Sequence, residues 1–115
     1  MATVLIDARN VIRSRWPNMP ERELVDHARA WAERHGHHIV LVFDGTAPGG
    51  LVGAEELDER TTVVGSGAES ADDWLIRETP QYADAWLVTS DRALRDAAGA
   101  ARMTGGGAFL QELEE

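Results

Sequence analysis

The chain has 115 residues, and its 11 basic and 20 acidic residues give a net charge of −9 at neutral pH. It contains no cysteine and no lysine, which excludes disulfides, thiolate metal sites, Walker-type phosphate loops and Schiff-base chemistry. Because a chain this acidic repels nucleic acid at long range, a nucleic-acid ligand would require local positive charge or metal ions.

The length is typical of a single domain. The longest fully apolar run is residues 39–43, far short of the roughly 20 residues of a membrane helix. The first residues also lack the basic and apolar segments of a secretory signal. We therefore expect a single-domain cytoplasmic protein without a membrane partner.

The first half of the chain predicts two strands and one helix. Residues 4–6 form an apolar run that is typical of a buried parallel strand. We expect residues 8–20 to form a loop with two prolines, and a helix to run from there to Gly36 with one apolar stripe. Residues 38–43 predict the second strand.

The second half predicts two more strands that alternate with three helices. The strands are 61–64 and 85–89, and the helices are 70–78, 91–98 and 108–113. Residues 54–59 predict either a short helix or a flexible hairpin, and residues 105–107 a short strand or a loop. The alternation predicts a three-layer α/β/α fold, in which helices cover both faces of a mostly parallel sheet.

Aspartates follow three of the predicted strands, at Asp7, Asp44 and Asp91. Because the carboxyl ends of parallel strands lie along one edge of a sheet, we expect these side chains to converge. Asp72 and Asp73 open a helix that begins at the same edge. Carboxylates this close raise one another's pKa unless a cation lies between them, and Mg²⁺ and Mn²⁺ prefer such oxygen ligands. The pattern therefore predicts a divalent metal site suited to phosphodiester hydrolysis.

A structural interpretation of the same aspartates stays open. Asp between a strand and a helix is a common N-cap or turn residue. Ser70, three positions before Asp73, forms a capping-box pattern that explains Asp73 without any chemistry.

The segment after the first strand contains Arg9, Arg13 and Arg15 beside Trp16, with no acidic residue among them. It is either an RNA platform, with guanidinium groups on phosphates and an indole for base stacking, or a solvated loop whose indole packs on the sheet. Arg92, which follows Asp91, either contacts a phosphate or is a surface residue without a ligand.

Two further patterns indicate structure rather than a ligand site. We interpret His35, His37 and His38 as a helix end and the start of a strand rather than a metal cluster. Residues 65–70 nearly match a dinucleotide-binding fingerprint, but the last glycine is replaced by Ser70 and the segment follows the third strand rather than the first.

Four separated motifs resemble, in order, those of the NYN-domain, YacP-like ribonucleases. They are VLIDARN at residues 4–10, VFDG at 42–45, ESAD at 69–72 and VTSDR at 88–92. The resemblance covers nearly the whole chain and departs from the family at Ala8 and Arg9, where the family has Gly-Tyr. It implies a PIN-like (NYN) fold and a metal-dependent endoribonuclease that cuts single-stranded RNA.

The resemblance also implies residue roles. The ligands of Mg²⁺ or Mn²⁺ are Asp7, Asp72 and Asp91. The further catalytic acid, acting through water, is Asp44. The supporting residues are Asn10, Ser90, Asp73 and Glu69. The candidate RNA-binding residues, Arg9, Arg13, Arg15 and Arg92, come from the charge pattern described above rather than from the resemblance.

Partners and alternatives follow from the same resemblance. Some members of the family act on RNA in association with ribosomes, and small PIN-like domains often form homodimers. The short chain and the changed residues 8–9 keep a second hypothesis open, a degenerate NYN-like module that binds RNA or a protein without cutting. A phosphatase-like hydrolase acting on a small phosphate ester is a third.

Overall fold

The computed structural model describes residues 2–115, which contain six strands and five α-helices. The strands are β1 (Thr3–Asp7), β2 (His38–Phe43), β3 (Gly53–Glu56), β4 (Thr61–Gly65), β5 (Ala85–Val88) and β6 (Arg102–Thr104). The helices are α1 (Ala8–Arg13), α2 (Glu21–His35), α3 (Ala71–Glu78), α4 (Arg92–Ala98) and α5 (Gly106–Leu113), with a 3-10 turn at Thr79–Gln81. Of these helices, none has the length and apolarity to cross a membrane.

All six strands form one sheet in the order β3-β4-β2-β1-β5-β6. Every neighbouring pair is parallel except β3 and β4, so the predicted mostly parallel sheet is confirmed. Asp7 lies opposite Val42, and Ile6 lies opposite Val88. This register places the ends of β1, β2 and β5 side by side, and we call this side of the sheet the carboxyl edge.

Helices cover both faces of the sheet, which confirms the three-layer α/β/α fold. Because side chains alternate along a strand, Val4 and Ile6 face one core while Leu5 faces the other. The first core contains the buried residues of α1, α2 and α5, including Trp31. The second contains those of α3 and α4, including Leu75.

The prediction of a loop over residues 8–20 is wrong for its first half. Helix α1 begins directly after Asp7 and buries Ala8, Val11 and Ile12. These residues share one helix face, and burying that face in the first core stabilises a helix too short to form alone. Trp16, which could have packed on the sheet, is instead 85% exposed.

Two uncertain segments are settled by strand pairing. The hairpin alternative for residues 54–59 is confirmed and the helix alternative is wrong, since β3 pairs antiparallel with β4. The short strand of the tail is β6 at residues 102–104, parallel to β5, rather than residues 105–107. Gly105 is the N-cap of α5, so the glycines belong to the start of the helix.

Candidate active site at the carboxyl edge

A cavity of about 310 Å³ opens at the carboxyl edge, and we call it the acidic cavity. Its lining residues are Asp7, Arg9, Asn10, Arg13, Asp44, Ser70, Ala71, Asp72 and Asp91. Four aspartates that are far apart in the sequence therefore share one small space. Asp7 is the last residue of β1, Asp44 and Asp91 lie in the segments after β2 and β5, and Asp72 lies in the first turn of α3.

Asp7 is the buried acid of this group, since only 7% of the residue is exposed. Its pKa is raised from 3.8 to about 6, first by burial and then by the charge of Asp72. Three groups lower the pKa of Asp7 without cancelling this increase: the Thr89 hydroxyl and the backbone N–H of Asn10, through hydrogen bonds, and Arg13, through its charge. The ionised form of Asp7 is therefore poorly compensated by the protein itself.

Asp72 is partly exposed and faces other acids rather than arginines. Its pKa is raised first by burial and then by the charges of Asp91, Asp44 and Asp73. Within residues 2–115, no basic side chain lowers the pKa of Asp72. The acidic cavity therefore holds four carboxylates against two arginines, Arg9 and Arg13.

Asp44 and Asp91 each cap a helix as well as lining the cavity. Oδ1 of Asp44 accepts a hydrogen bond from the backbone N–H of Ala71 at 2.9 Å, at the start of α3. Oδ1 of Asp91 accepts one from the N–H of Leu94 at 3.1 Å, at the start of α4. The structural interpretation is therefore confirmed for Asp91, which is the N-cap of α4, whereas Asp44 contacts the start of a helix whose N-cap is Ser70. Each cap uses one carboxylate oxygen, which leaves the second oxygen for a ligand.

Thr89 is a residue of the site that the sequence analysis did not single out. It is fully buried, its hydroxyl donates to Oδ2 of Asp7 at 3.0 Å, and it accepts from the backbone N–H of Asp91 at 3.2 Å. The available signal was a hydroxyl residue directly after the apolar run of β5, at the point where that strand reaches the carboxyl edge.

Asn10 and Ser90 connect the elements around the cavity. Oδ1 of Asn10 accepts from the backbone N–H of Ser90 at 2.8 Å, and Oγ of Ser90 accepts from the N–H of Gly106 at 2.9 Å. The Ser14 hydroxyl donates to the carbonyl of Asn10 at 2.7 Å. Helix α1, the β5–α4 loop and the start of α5 are therefore fixed to one another.

Two predicted supporting acids lie outside the acidic cavity. Glu69 forms an ion pair with Arg77. Asp73 is exposed, and its backbone N–H donates to Oγ of Ser70 at 3.0 Å, as the capping pattern predicted. Neither carboxylate lines the cavity.

The four arginines predicted to bind RNA are divided between different surfaces. Arg9 and Arg13 line the acidic cavity, where Arg9 also lies 3.5 Å from Glu21. Arg15 forms an ion pair with Glu114, the residue at the C-terminal end of α5. Arg92 lines a separate shallow cavity.

The donors of the acidic cavity suit a hard divalent cation by their chemistry, since all four acidic side chains offer carboxylate oxygens. Within residues 2–115, no three carboxylates or imidazoles lie close enough to form a complete metal-binding cluster as they stand. Mg²⁺ usually takes only one or two protein carboxylates and fills its shell with water and substrate phosphate. The residues present therefore fit such an ion in the company of a phosphate.

Two other features carry no comparable chemistry. A larger cavity of about 600 Å³ lies between α2 and the β3–β4 hairpin, but its acidic residues are exposed and Arg29 pairs with Asp58 at 2.9 Å. The rings of His35 and His37 pack on Trp31 with centroids 5.4 and 5.3 Å away. This supports the structural interpretation of the histidines.

Comparisons with known proteins were made for the sequence and for the fold. The family model for the YacP-like NYN domain matches residues 4–115. No functionally curated protein matches the sequence. A crystal structure of Rae1 (YacP) from Bacillus subtilis is similar, with a TM-score of 0.74 and 19% identity over 99% of this chain and 74% of that one. The crystal structure of a single-substitution mutant of the same protein is also similar, with a TM-score of 0.75 and 20% identity. That match covers 99% of this chain and 76% of the mutant chain.

Proposed function

The chain belongs to the YacP-like NYN domain family, and from that premise we propose that it is a metal-dependent endoribonuclease acting on single-stranded RNA. NYN domains are generally ribonucleases, so membership supports a hydrolase that acts on RNA. The observation that carries the finer proposal is the state of Asp7. A buried carboxylate whose pKa is raised to about 6, with Asp72 beside it, is ionised at neutral pH only at a cost in free energy, and a bound cation would offset that cost.

Asp7, Asp72 and Asp91 are the residues proposed to hold Mg²⁺ or Mn²⁺, with Asp44 beside them. When bound, such an ion activates a water molecule and neutralises charge on the scissile phosphate. The hydroxyl of Thr89 orients Asp7, and the caps on α3 and α4 fix Asp44 and Asp91.

Arg9 and Arg13 are proposed to contact RNA phosphates at the rim of the acidic cavity. Together with the bound cation, they would allow a protein of net charge −9 to accept a polyanion. Association with ribosomes, a homodimer and a cytoplasmic location stay predictions.

One observation favours the second hypothesis, a degenerate module that binds without cutting. Within the part of the chain that the structure describes, no three potential ligands form a ready metal cluster. The two hypotheses differ in whether phosphodiester bonds break, so a cleavage assay separates them.

The test is incubation of labelled single-stranded RNA with the protein and Mn²⁺ or Mg²⁺. We expect internal cleavage that EDTA stops and that the double variant Asp7→Asn, Asp91→Asn loses. Asp84→Asn, in an exposed turn before β5, is the matched control and should cut like the wild type. Cleavage by the double variant at the wild-type rate would remove the proposed mechanism. Turnover of a generic phosphate ester without RNA cleavage would support the phosphatase alternative.

A further inference from the structure

We infer that Trp16 is a stacking platform for a base of single-stranded RNA, beside the phosphate contact that Arg13 makes at the acidic cavity. The inference rests on the proposed function and names a subsite next to the same site. It concerns how the substrate is held and not how it is cut.

The exposure of Trp16 sets it apart from the other tryptophans of the chain. It is 85% exposed, whereas Trp31, Trp74 and Trp86 pack in or against the two cores. Tryptophan is seldom left so open, because its large ring is among the most favourable to bury. The indole therefore presents a free aromatic face to solvent.

The charge around Trp16 identifies the ligand. Residues 8–20 carry three arginines and no acid, in a chain whose net charge is −9. Arg9 lies near Glu21 and Arg15 pairs with Glu114, but Arg13 makes no ion pair with any residue in 2–115. An unpaired cation and an exposed aromatic ring three positions apart are the two contacts that a single-stranded nucleic acid needs, one for phosphate and one for a base.

The path of the chain connects this pair of residues to the acidic cavity. Helix α1 starts directly after Asp7 and spans about 9 Å over its six residues, ending at Arg13, which lines the cavity. Trp16 follows three positions later, outside the cavity. A strand whose phosphate lies on Arg13 can therefore place a neighbouring base on the indole. A protein partner that covered Trp16 alone would not need this continuity.

The experiment measures binding of fluorescently labelled oligouridylate in an Asp72→Asn background that is not expected to cut. Trp16→Ala should weaken binding about 5- to 100-fold, and Trp16→Phe should keep most of the affinity, because a stacking face remains. Val52→Ala, at an exposed apolar residue near the hairpin, is the matched control and should not change binding. Binding should also quench tryptophan fluorescence in the parent protein, and this quenching should be lost in Trp16→Ala.

An abasic oligonucleotide of the same length distinguishes stacking from other roles, because it has no base to stack on Trp16. It should therefore bind the Asp72→Asn protein equally well with and without Trp16→Ala. Equal oligouridylate affinities for these two proteins, or an equal loss with the abasic strand, would overturn the inference. If the wild type cuts RNA but Trp16→Ala does not weaken binding, the stacking role of Trp16 is wrong and the proposed enzyme activity is unaffected. If binding depends on Trp16 but the protein never cuts, the proposed enzyme activity fails and the subsite stands. Absence of RNA binding would overturn both.

Discussion

The hydroxyl of Thr89 donates a hydrogen bond to Oδ2 of Asp7 at 3.0 Å, although the two residues are 82 positions apart in the sequence. The same hydroxyl accepts from the backbone N–H of Asp91 at 3.2 Å. The pairing of β1 with β5, with Ile6 opposite Val88, brings these groups together. One buried side chain thus links two of the proposed metal ligands.

We predict that Thr89→Val weakens both the fold and the activity. Valine has nearly the same shape but cannot donate, so the buried carboxylate of Asp7 loses its hydrogen bond. The free energy of unfolding should fall by about 2 kcal/mol near neutral pH, as measured by urea unfolding. RNA cleavage should fall about 10- to 100-fold, because a misoriented carboxylate binds metal poorly. Thr89→Ser keeps a hydroxyl donor and should recover most of the stability and most of the cleavage activity. Wild-type cleavage by Thr89→Val would contradict the role of Thr89 in orienting Asp7.

The raised pKa of Asp7 predicts a stability effect with a definite sign. Its folded pKa of about 6 lies above the ordinary value of 3.8, so the folded state holds the proton more tightly than the unfolded chain. Without metal, stability should therefore decrease as pH rises from about 4 to about 6, by up to roughly 3 kcal/mol. Asp7→Asn carries no charge, so it should be more stable than the wild type at neutral pH, with the gap closing near pH ~4.

Urea unfolding of both proteins across this pH range, in EDTA, checks the prediction. A gap that does not change with pH would mean that Asp7 does not titrate with a raised pKa. A wild type more stable than Asp7→Asn at neutral pH would mean that the protein compensates the charge on its own.

Two substitutions of Asp44 separate its capping role from its charge. Asp44→Ala removes the acceptor for the N–H of Ala71 and should cost about 1 kcal/mol in the free energy of unfolding. Asp44→Asn keeps a capping oxygen and should preserve stability. If the charge of Asp44 also contributes to the acidic cavity, Asp44→Asn should still reduce RNA cleavage. Equal cleavage by Asp44→Asn and the wild type would assign Asp44 a capping role alone.

The contact between α5 and α1 predicts opposite effects at adjacent glycines. A Cβ at Gly106 would lie 2.2 Å from Oγ of Ser14 and 3.0 Å from Oδ1 of Asn10. Gly106→Ala should therefore destabilise the protein by about 1–3 kcal/mol and displace Asn10 from Ser90. Gly107→Ala meets nothing closer than 4.0 Å and should be neutral or slightly stabilising, since alanine favours a helix. Thermal unfolding of the two variants tests this difference, and equal melting temperatures would contradict it.

Much of the fold could be predicted because the buried strands β1, β2 and β5 are continuous apolar runs. That pattern predicts a parallel sheet, and parallel topology alone brings Asp7, Asp44 and Asp91 to one edge. Helix α1 was missed even though Ala8, Val11 and Ile12 have helical spacing. Its stability comes from tertiary packing, and its first residue follows the strand without the loop or cap that would mark a helix start.

The finer structure of the site could not be predicted because it depends on contacts between distant segments. Nothing local to Glu69 indicates that it pairs with Arg77, or that Arg15 pairs with Glu114. The role of Thr89 requires the register of β1 against β5, which an apolar pattern does not determine. Sequence alone therefore placed the acids at one edge but did not identify the hydroxyl that orients Asp7.

The most direct test of the account is calorimetric titration of the protein with Mn²⁺ near neutral pH. If the acidic cavity holds a divalent cation, the wild type should bind with a dissociation constant of about 1 mM or tighter. Asp7→Asn and Asp72→Asn should each weaken that binding by about tenfold or more, while Asp84→Asn leaves it unchanged. No measurable binding, or binding that is insensitive to both substitutions, would contradict the claim that these aspartates form a metal centre.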